Sequence, residues 1–284
     1  MQTNLYDARL VSWTKEFATP GVEGAVVNDL LAEALQRCGR PLVRPVAVVN
    51  DTVATLLSAA YLSPDTRIGS ICGTGHNTAY LEPYSGKAQP RMILNLESGG
   101  FDRLAPNRFD TRLDAQSAKP GAQRLEKMVA GRYLGALFSL ALAEAFALEE
   151  TPHFATEDLS AILADNSDRL ERAKGALQRR LRAPLEDDAP VWCKALAESV
   201  CVRAARLTAA TYAGVLWHLD DARVAPQTIA IDGTLYEKLP LYKEAMQQAL
   251  HELLGAEAKC VRLLPAKDGS ALGAAVAAAI AAAN

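Results

Sequence analysis

Four short segments of this 284-residue chain carry residue types that could act on a ligand. Residues 45–50 form an apolar run rich in β-branched side chains, which reads as a buried strand ending in Asn50-Asp51-Thr52. A carboxylate at the end of such a strand is placed to serve as a general base; equally, Asp51 could do no more than cap the helix that follows. Residues 67–72 and 77–82 read as strands joined by Gly73-Thr74-Gly75. Glycines in such a turn let backbone N–H groups approach a phosphate closely. A further strand, 228–232, runs into a tight turn at Gly233-Thr234. Glu97 and Glu126 have glycines or proline nearby and could accept hydroxyl hydrogens from a polyhydroxyl ligand, although most glutamates simply face solvent. No GxxxxGK[ST] occurs, so any phosphate site here is not a P-loop.

The elements that must hold these segments alternate. Apolar residues at Val26, Val27, Leu30, Leu31, Ala34 and Leu35 predict a helix over 24–37, ended by Gly39. A second helix runs from Asp51 to about residue 61. A strand is expected near 91–95, and 99–119 reads as polar loop with extended pieces. From Gly121 the chain turns helical, with 133–148 deeply buried. Residues 151–182 read as polar and helical; Arg179, Arg180 and Arg182 form a basic face that solvent covers more readily than phosphate. An acidic loop at 184–190 precedes a long helix over 191–219. A helix over 239–254, a strand over 260–264 and an alanine-rich terminal helix complete the chain. Strands alternating with helices around a central hairpin predict an α/β fold with a mixed sheet.

Composition bounds the function. Half of the residues are hydrophobic and the net charge is -3, which argues against a nucleic-acid surface. The length fits one large domain or two modest ones. Five scattered cysteines without a CxxC pair read as free thiols in a reducing cytoplasm. Cys72, beside the glycine turn, is either oxidation-sensitive or a small buried apolar residue. The first residues lack the pattern of a targeting peptide, and the apolar tail 271–283 is too short to cross a bilayer.

In order along the chain, the motifs resemble those of the hexokinase family. They are Leu10-Val-Ser-Trp-Thr-Lys-Glu-Phe17, Gly21-Val-Glu-Gly24, Val46-Ala-Val-Val-Asn-Asp-Thr52 and Ile68-Gly-Ser-Ile-Cys-Gly-Thr-Gly-His-Asn77. Asn95-Leu-Glu-Ser-Gly-Gly-Phe101, Pro120-Gly-Ala-Gln-Arg-Leu-Glu-Lys-Met128, Gly131-Arg-Tyr-Leu-Gly135, Ile231-Asp-Gly-Thr234 and Asp268-Gly-Ser270 follow. The resemblance implies an actin-like ATPase (ribonuclease H-like) fold of two lobes, with hexose and ATP bound between them. It implies a remnant of the small lobe at 1–49, the large lobe at 50–267 and a helix at 268–284 returning toward the small lobe. It further implies ATP with Mg2+ as co-substrate and phosphorylation of a hexose, glucose first, at the 6-hydroxyl. Asp51 would be the base and Lys15 would lie near the transferred group. Thr14, Lys15, Asn50, Asn77, Glu97 and Glu126 would bind the sugar. Gly73, Thr74 and Gly75 would hold phosphate. Gly131, Arg132, Thr156, Ser160, Gly233 and Thr234 would line the nucleotide site. No protein metal ligand, nucleic acid or membrane is implied.

Three departures from the family pattern stand out. Family members have tryptophan after the sugar-binding glutamate, and here it is Ser98. His76 occupies a variable position of the glycine loop, and Ala271 replaces a glycine after Asp-Gly-Ser. An Asp-x-Gly-Gly-Thr-Asn loop, expected ahead of Trp-Thr-Lys, does not occur. The expectation is therefore a large lobe without most of the small one, weak or inactive alone, with a separate chain as one source of the missing lobe. Two other readings remain at this level: a non-catalytic sugar or nucleotide binder, which would have no need of Asp51 and Lys15, and an actin-like structural protein, which would have no need of the sugar-facing acids.

Overall fold

The computed structural model describes residues 5–6, 8–11, 13, 19–83, 92–181, 186–219 and 226–283. Thr14, Lys15 and Arg182 lie outside the described residues.

Five strands build one mixed sheet: β1 (Thr66–Cys72), β2 (His76–Glu82), β3 (Met92–Asn95), β4 (Gln227–Asp232) and β5 (Val261–Pro265). The spatial order is β3-β2-β1-β4-β5. The β1–β2–β3 part is antiparallel, and β4 and β5 run parallel to β1. The carboxyl ends of β1 and β4 therefore come out on one edge, with Ile71 beside Asp232. Strand ends of this kind are where open α/β sheets bind ligands.

The two faces of the sheet are packed differently. Ile68, Tyr80, Ile229 and Ile231 join the main core. That core includes α5 (Gly131–Ala145), α8 (Ala189–Leu219) and α10 (Tyr242–Leu254). On the other face, Ala79, Gly69 and Ala230 lie side by side across β2, β1 and β4. This row of small residues admits α2 (Asp51–Leu62) at close range. A Cβ on Gly69 would stand 2.7 Å from the Leu56 Cβ, so any larger residue would push the helix off the sheet. The terminal helix α11 (Gly269–Ala283) packs along α2 in turn.

Some expectations need correction. Residues 45–50 are extended, with Val48 N–H donating to the Leu5 carbonyl, but they belong to no strand of the sheet. β-branched character favours strand only where a neighbouring ladder exists, and none lies beside this run among the described residues. The segment read as loop over 99–119 contains α3 (Arg108–Gln116). Its start is a capping box: Asn107 Oδ1 accepts from Asp110 N–H, and Asp110 Oδ2 accepts from Asn107 N–H. Arg203 of α8 grips the same carboxylate through two nitrogens, at 2.9 and 2.6 Å. Helix α8 starts at Ala189 and takes Pro190 into its first turn, where a missing N–H costs nothing. The helix read over 239–254 is α10, starting at Tyr242, and a short helix that was not expected, α9 (Thr234–Lys238), precedes it. The predicted helix over 24–37 is α1 (Val27–Arg37), and 151–182 resolves into α6 (Thr156–Leu163) and α7 (Glu171–Leu181). Arg180 pairs with Asp158 at 2.8 Å, which gives that basic residue a structural partner.

Candidate functional site

Helix α2 begins at the sheet edge, and its first residues face a cleft. Asn50 is the cap, its Oδ1 accepting from Thr52 N–H at 2.9 Å and Val53 N–H at 3.4 Å. Capping was one reading of Asp51; in the structure Asn50 fills that place. Asp51 is the first helical residue and is exposed, its Oδ1 accepting from the Thr52 amide and hydroxyl. The carboxylate thus stands at the positive end of the helix dipole.

Opposite α2, the β1–β2 turn is tied down from behind. Gly131 N–H donates to the Gly73 carbonyl at 2.9 Å and Arg132 N–H to the Thr74 carbonyl at 3.3 Å. This leaves Thr74 exposed at the rim. Gly233 closes against the same turn from β4, its Cα side packed on the Cys72–Gly73 backbone.

The third wall is a chain of amides and acids. Asn77 Oδ1 accepts from the Thr78 and Ser98 amides, at 2.7 and 3.2 Å. Its Nδ2 donates to Asn95 Oδ1 at 2.7 Å, and Asn95 Nδ2 donates to Glu97 Oε1 at 2.7 Å. Glu126, buried in α4 (Arg124–Val129), accepts from the His76 amide at 3.0 Å. The next residue, Lys127, is also buried and binds Asp114 and the Lys119 carbonyl, which ties the loop before α4 back onto α3.

Together these groups enclose a polar cleft of about 420 Å³, lined by Asn50, Asp51, Asn77, Glu97 and Glu126 with Thr74, Gly75, His76, Ile71 and Gln123. Every described residue that the sequence marked for sugar binding lies in it. A second cleft of about 360 Å³ holds Gly73, Gly131, Thr156, Ser160 and Thr234. Thr74 lines both. Arg132 and Gly233 do not line the second cleft: the Arg132 guanidinium lies over the Tyr133 ring, and Gly233 is turned into the glycine contact. Thr156 lines it, yet its hydroxyl donates to the Gly131 carbonyl and accepts from Gly135 N–H, so it also splices α6 onto α5.

A larger hollow, about 660 Å³, lies beyond Glu97, between Tyr80, Leu96, Phe101, Leu104 and α8. Its mostly apolar lining suits a polyhydroxyl ligand poorly.

Sequence reasoning missed Asn95, Gln123, Lys238 and Asp232. Gln123 is held in left-handed backbone, φ 52°, which no pattern of residue types reveals. Lys238 lies one turn after Thr234 on α9, a spacing that could have found it. Asp232 ends β4; burial first, then the charges of Glu237, Asp268 and Asp51, raises its carboxyl above the usual range.

Cys72 is buried, and burial pushes its thiol up to about 11, so it is the inert apolar residue rather than a sensor. His76 is buried too. Its Nδ1–H donates to the Ile71 carbonyl at 3.2 Å, and burial pulls its pKa down to about 4. A group that is harder to protonate folded than unfolded loses stability as pH falls from the unfolded value near 6.5 toward 4, with a slope of up to about 1.4 kcal/mol per unit. Urea unfolding at pH 7 and pH 4.5 should show this loss in the wild type and a smaller one in His76→Phe. Equal losses in both would show that His76 does not set the slope.

A mixed sheet with two polar clefts at its strand ends, joined at one glycine turn, defines an α/β protein of the actin-like ATPase fold. Residues 67–280 match the sequence profile described as Hexokinase, and residues 1–61 match a second profile of the same description. The chain is 37% identical to Hexokinase-2 of Rattus norvegicus over 99% of its own length and 33% of that protein's. A solved hexokinase from Schistosoma mansoni complexed with glucose superposes with a TM-score of 0.86 at 33% identity, covering 98% of this chain and 67% of that one. A hexokinase of the ROK family from Thermus thermophilus shares the fold at a TM-score of 0.56 and 18% identity. The chain belongs to the hexokinase family. It spans about a third of the length of the rat relative. Among the described residues no helix is long and apolar enough to cross a membrane.

Proposed function

We propose that this chain supplies the sugar-holding face of an ATP-dependent hexokinase, with glucose in the 420 Å³ cleft and the triphosphate of ATP in the 360 Å³ cleft. The observation that carries the reading is Thr74, which lines both clefts and so marks where a sugar hydroxyl and a phosphate would meet. Glu97 and Glu126 accept from the sugar hydroxyls, and Asn77 and Asn50 offer their amide N–H groups because their oxygens are committed to backbone amides. Asp51 takes the proton of the 6-hydroxyl. That oxygen bonds to the γ-phosphorus, the bond from the γ-phosphorus to the β,γ-bridging oxygen breaks, and ADP leaves with the electron pair. Magnesium enters with ATP as part of the co-substrate. Thr14 and Lys15 join the sugar and the transferred phosphoryl from the preceding segment. Residues 50–267 form the large lobe, 1–49 belong to the small lobe and 268–284 return toward it. The cytoplasm suits its five free cysteines.

Calorimetric titration with glucose tests the reading. The wild-type chain should bind saturably, and Glu97→Ala should weaken binding by roughly 10- to 150-fold, the range set by about 1.5–3 kcal/mol for hydrogen bonds to a charged group. Unchanged affinity in Glu97→Ala would remove the sugar from this cleft.

A further inference from the structure

Two departures from the family pattern touch each other. Ser98 stands where tryptophan is expected, and His76 fills the variable position of the glycine loop. His76 Nε2 lies 3.4 Å from Ser98 Oγ, and both side chains are buried. Resting on the hexose reading above, we propose that His76, acting through Ser98, is a positioning residue that sets the orientation of the sugar-facing Asn77 and Glu97.

The connections run outward from the imidazole. Its Nδ1 faces a carbonyl, Ile71 O, and a carbonyl only accepts, so Nδ1 carries the proton. Nε2 is then a lone pair facing the Ser98 hydroxyl at 3.4 Å, and it and Thr78 Oγ1 at 3.2 Å are the two acceptors for that hydroxyl's single proton. Ser98 is thereby held from its side chain while its backbone N–H reaches Asn77 Oδ1 at 3.2 Å. With the Thr78 amide on the same oxygen, the Asn77 amide has one orientation: oxygen inward, nitrogen toward Asn95 and the cleft. Glu97 immediately precedes Ser98 and sits in left-handed backbone, φ 49°, a strained state that needs its neighbours fixed. On the other side, His76's own N–H holds Glu126 Oε2 at 3.0 Å. The residue therefore connects all three groups, Asn77 and Glu97 from its ring by way of Ser98 and Glu126 from its backbone N–H. The small serine holds the loop by hydrogen bonds, with the imidazole as one of its two acceptors.

The test is a set of variants with two readouts. His76→Phe keeps a ring and loses both nitrogens; it should raise the glucose Kd about tenfold, the worth of one to two lost hydrogen bonds. Binding of a non-hydrolysable ATP analogue should stay unchanged. His76→Gln can place its amide oxygen near the Nε2 position and should restore most of the glucose affinity. Ser98→Ala should weaken binding as well, and the His76→Phe/Ser98→Ala double variant should be no weaker than His76→Phe alone, because both remove one coupling. Multiplicative losses, or no rescue by glutamine, would overturn the proposal. The second readout needs no sugar: the Asn77 side-chain amide signals in nitrogen-15 NMR should move in His76→Phe and return in His76→Gln. If they stay fixed, the proposal fails whether or not glucose binds. If they move while the wild type binds no glucose, the coupling stands and it is the hexose reading that fails.

Discussion

Asp51→Asn, assayed with the rest of the small lobe supplied, is expected to lower ATP-dependent phosphorylation of glucose by roughly 10²- to 10⁴-fold, the usual worth of a positioned general base. Asparagine keeps the shape of the side chain and an oxygen for the Thr52 amide, which now bonds Asp51 Oδ1 at 2.8 Å. The start of α2 is therefore expected to survive, since its cap is Asn50 rather than Asp51. What asparagine cannot do is take a proton. The loss should accordingly fall on kcat, measured in a coupled assay for ADP, with the glucose Kd close to that of the wild type. A loss confined to affinity would make Asp51 a sugar ligand and move the base elsewhere. An independent check lies in Asp232, whose carboxyl is raised in part by the charge of Asp51. Removing that charge should bring the Asp232 titration partway back toward the ordinary carboxylate range, and carbon-13 NMR would follow it.

The clefts were legible because their groups are local in sequence. Asn50-Asp51 and Gly73-Thr74-Gly75 each sit at the end of a short apolar run, and residue type alone brings them to notice. The row Ala79, Gly69, Ala230 was not legible, because β4, distant in sequence, must be placed in register against the β1–β2 hairpin before it exists. It is also what brings α2 down so that Asp51 faces Thr74. The misreading of 45–50 as a sheet strand has the opposite cause: the local preference for extension was real, and the extended backbone is there, but pairing is a property of neighbours. The helix at 108–116 escaped notice because its stabilising contact, Asp110 with Arg203, spans 93 residues of chain. The same holds for His76 and Ser98. Each was visible as a departure from the family pattern, and only the fold shows that they are one departure made by two residues in contact.

Gly233→Ala is expected to damage the frame that carries both clefts. Gly233 has φ 133° and ψ 146°, a region closed to residues with a Cβ, and forcing one there costs about 1–3 kcal/mol. The added carbon would also lie 2.3 Å from the Cys72 carbonyl oxygen and 2.8 Å from the Gly73 amide. Neither atom belongs to a flexible side-chain end, so the β1 turn or the start of α9 must shift, at a further cost of about 1–3 kcal/mol. For a chain of this size each kcal/mol lowers the melting midpoint by about 2–4 °C, so a fall of roughly 5–20 °C is expected by calorimetry. The displaced turn is the one that places Thr74 between the two clefts, so binding of glucose and of an ATP analogue should weaken together. That joint loss separates a frame residue from a ligand contact such as Glu97, whose removal should touch glucose alone. If Gly233→Ala melted normally and bound both ligands, the tight closure of β4 on the glycine turn would not be what holds Thr74 at the junction.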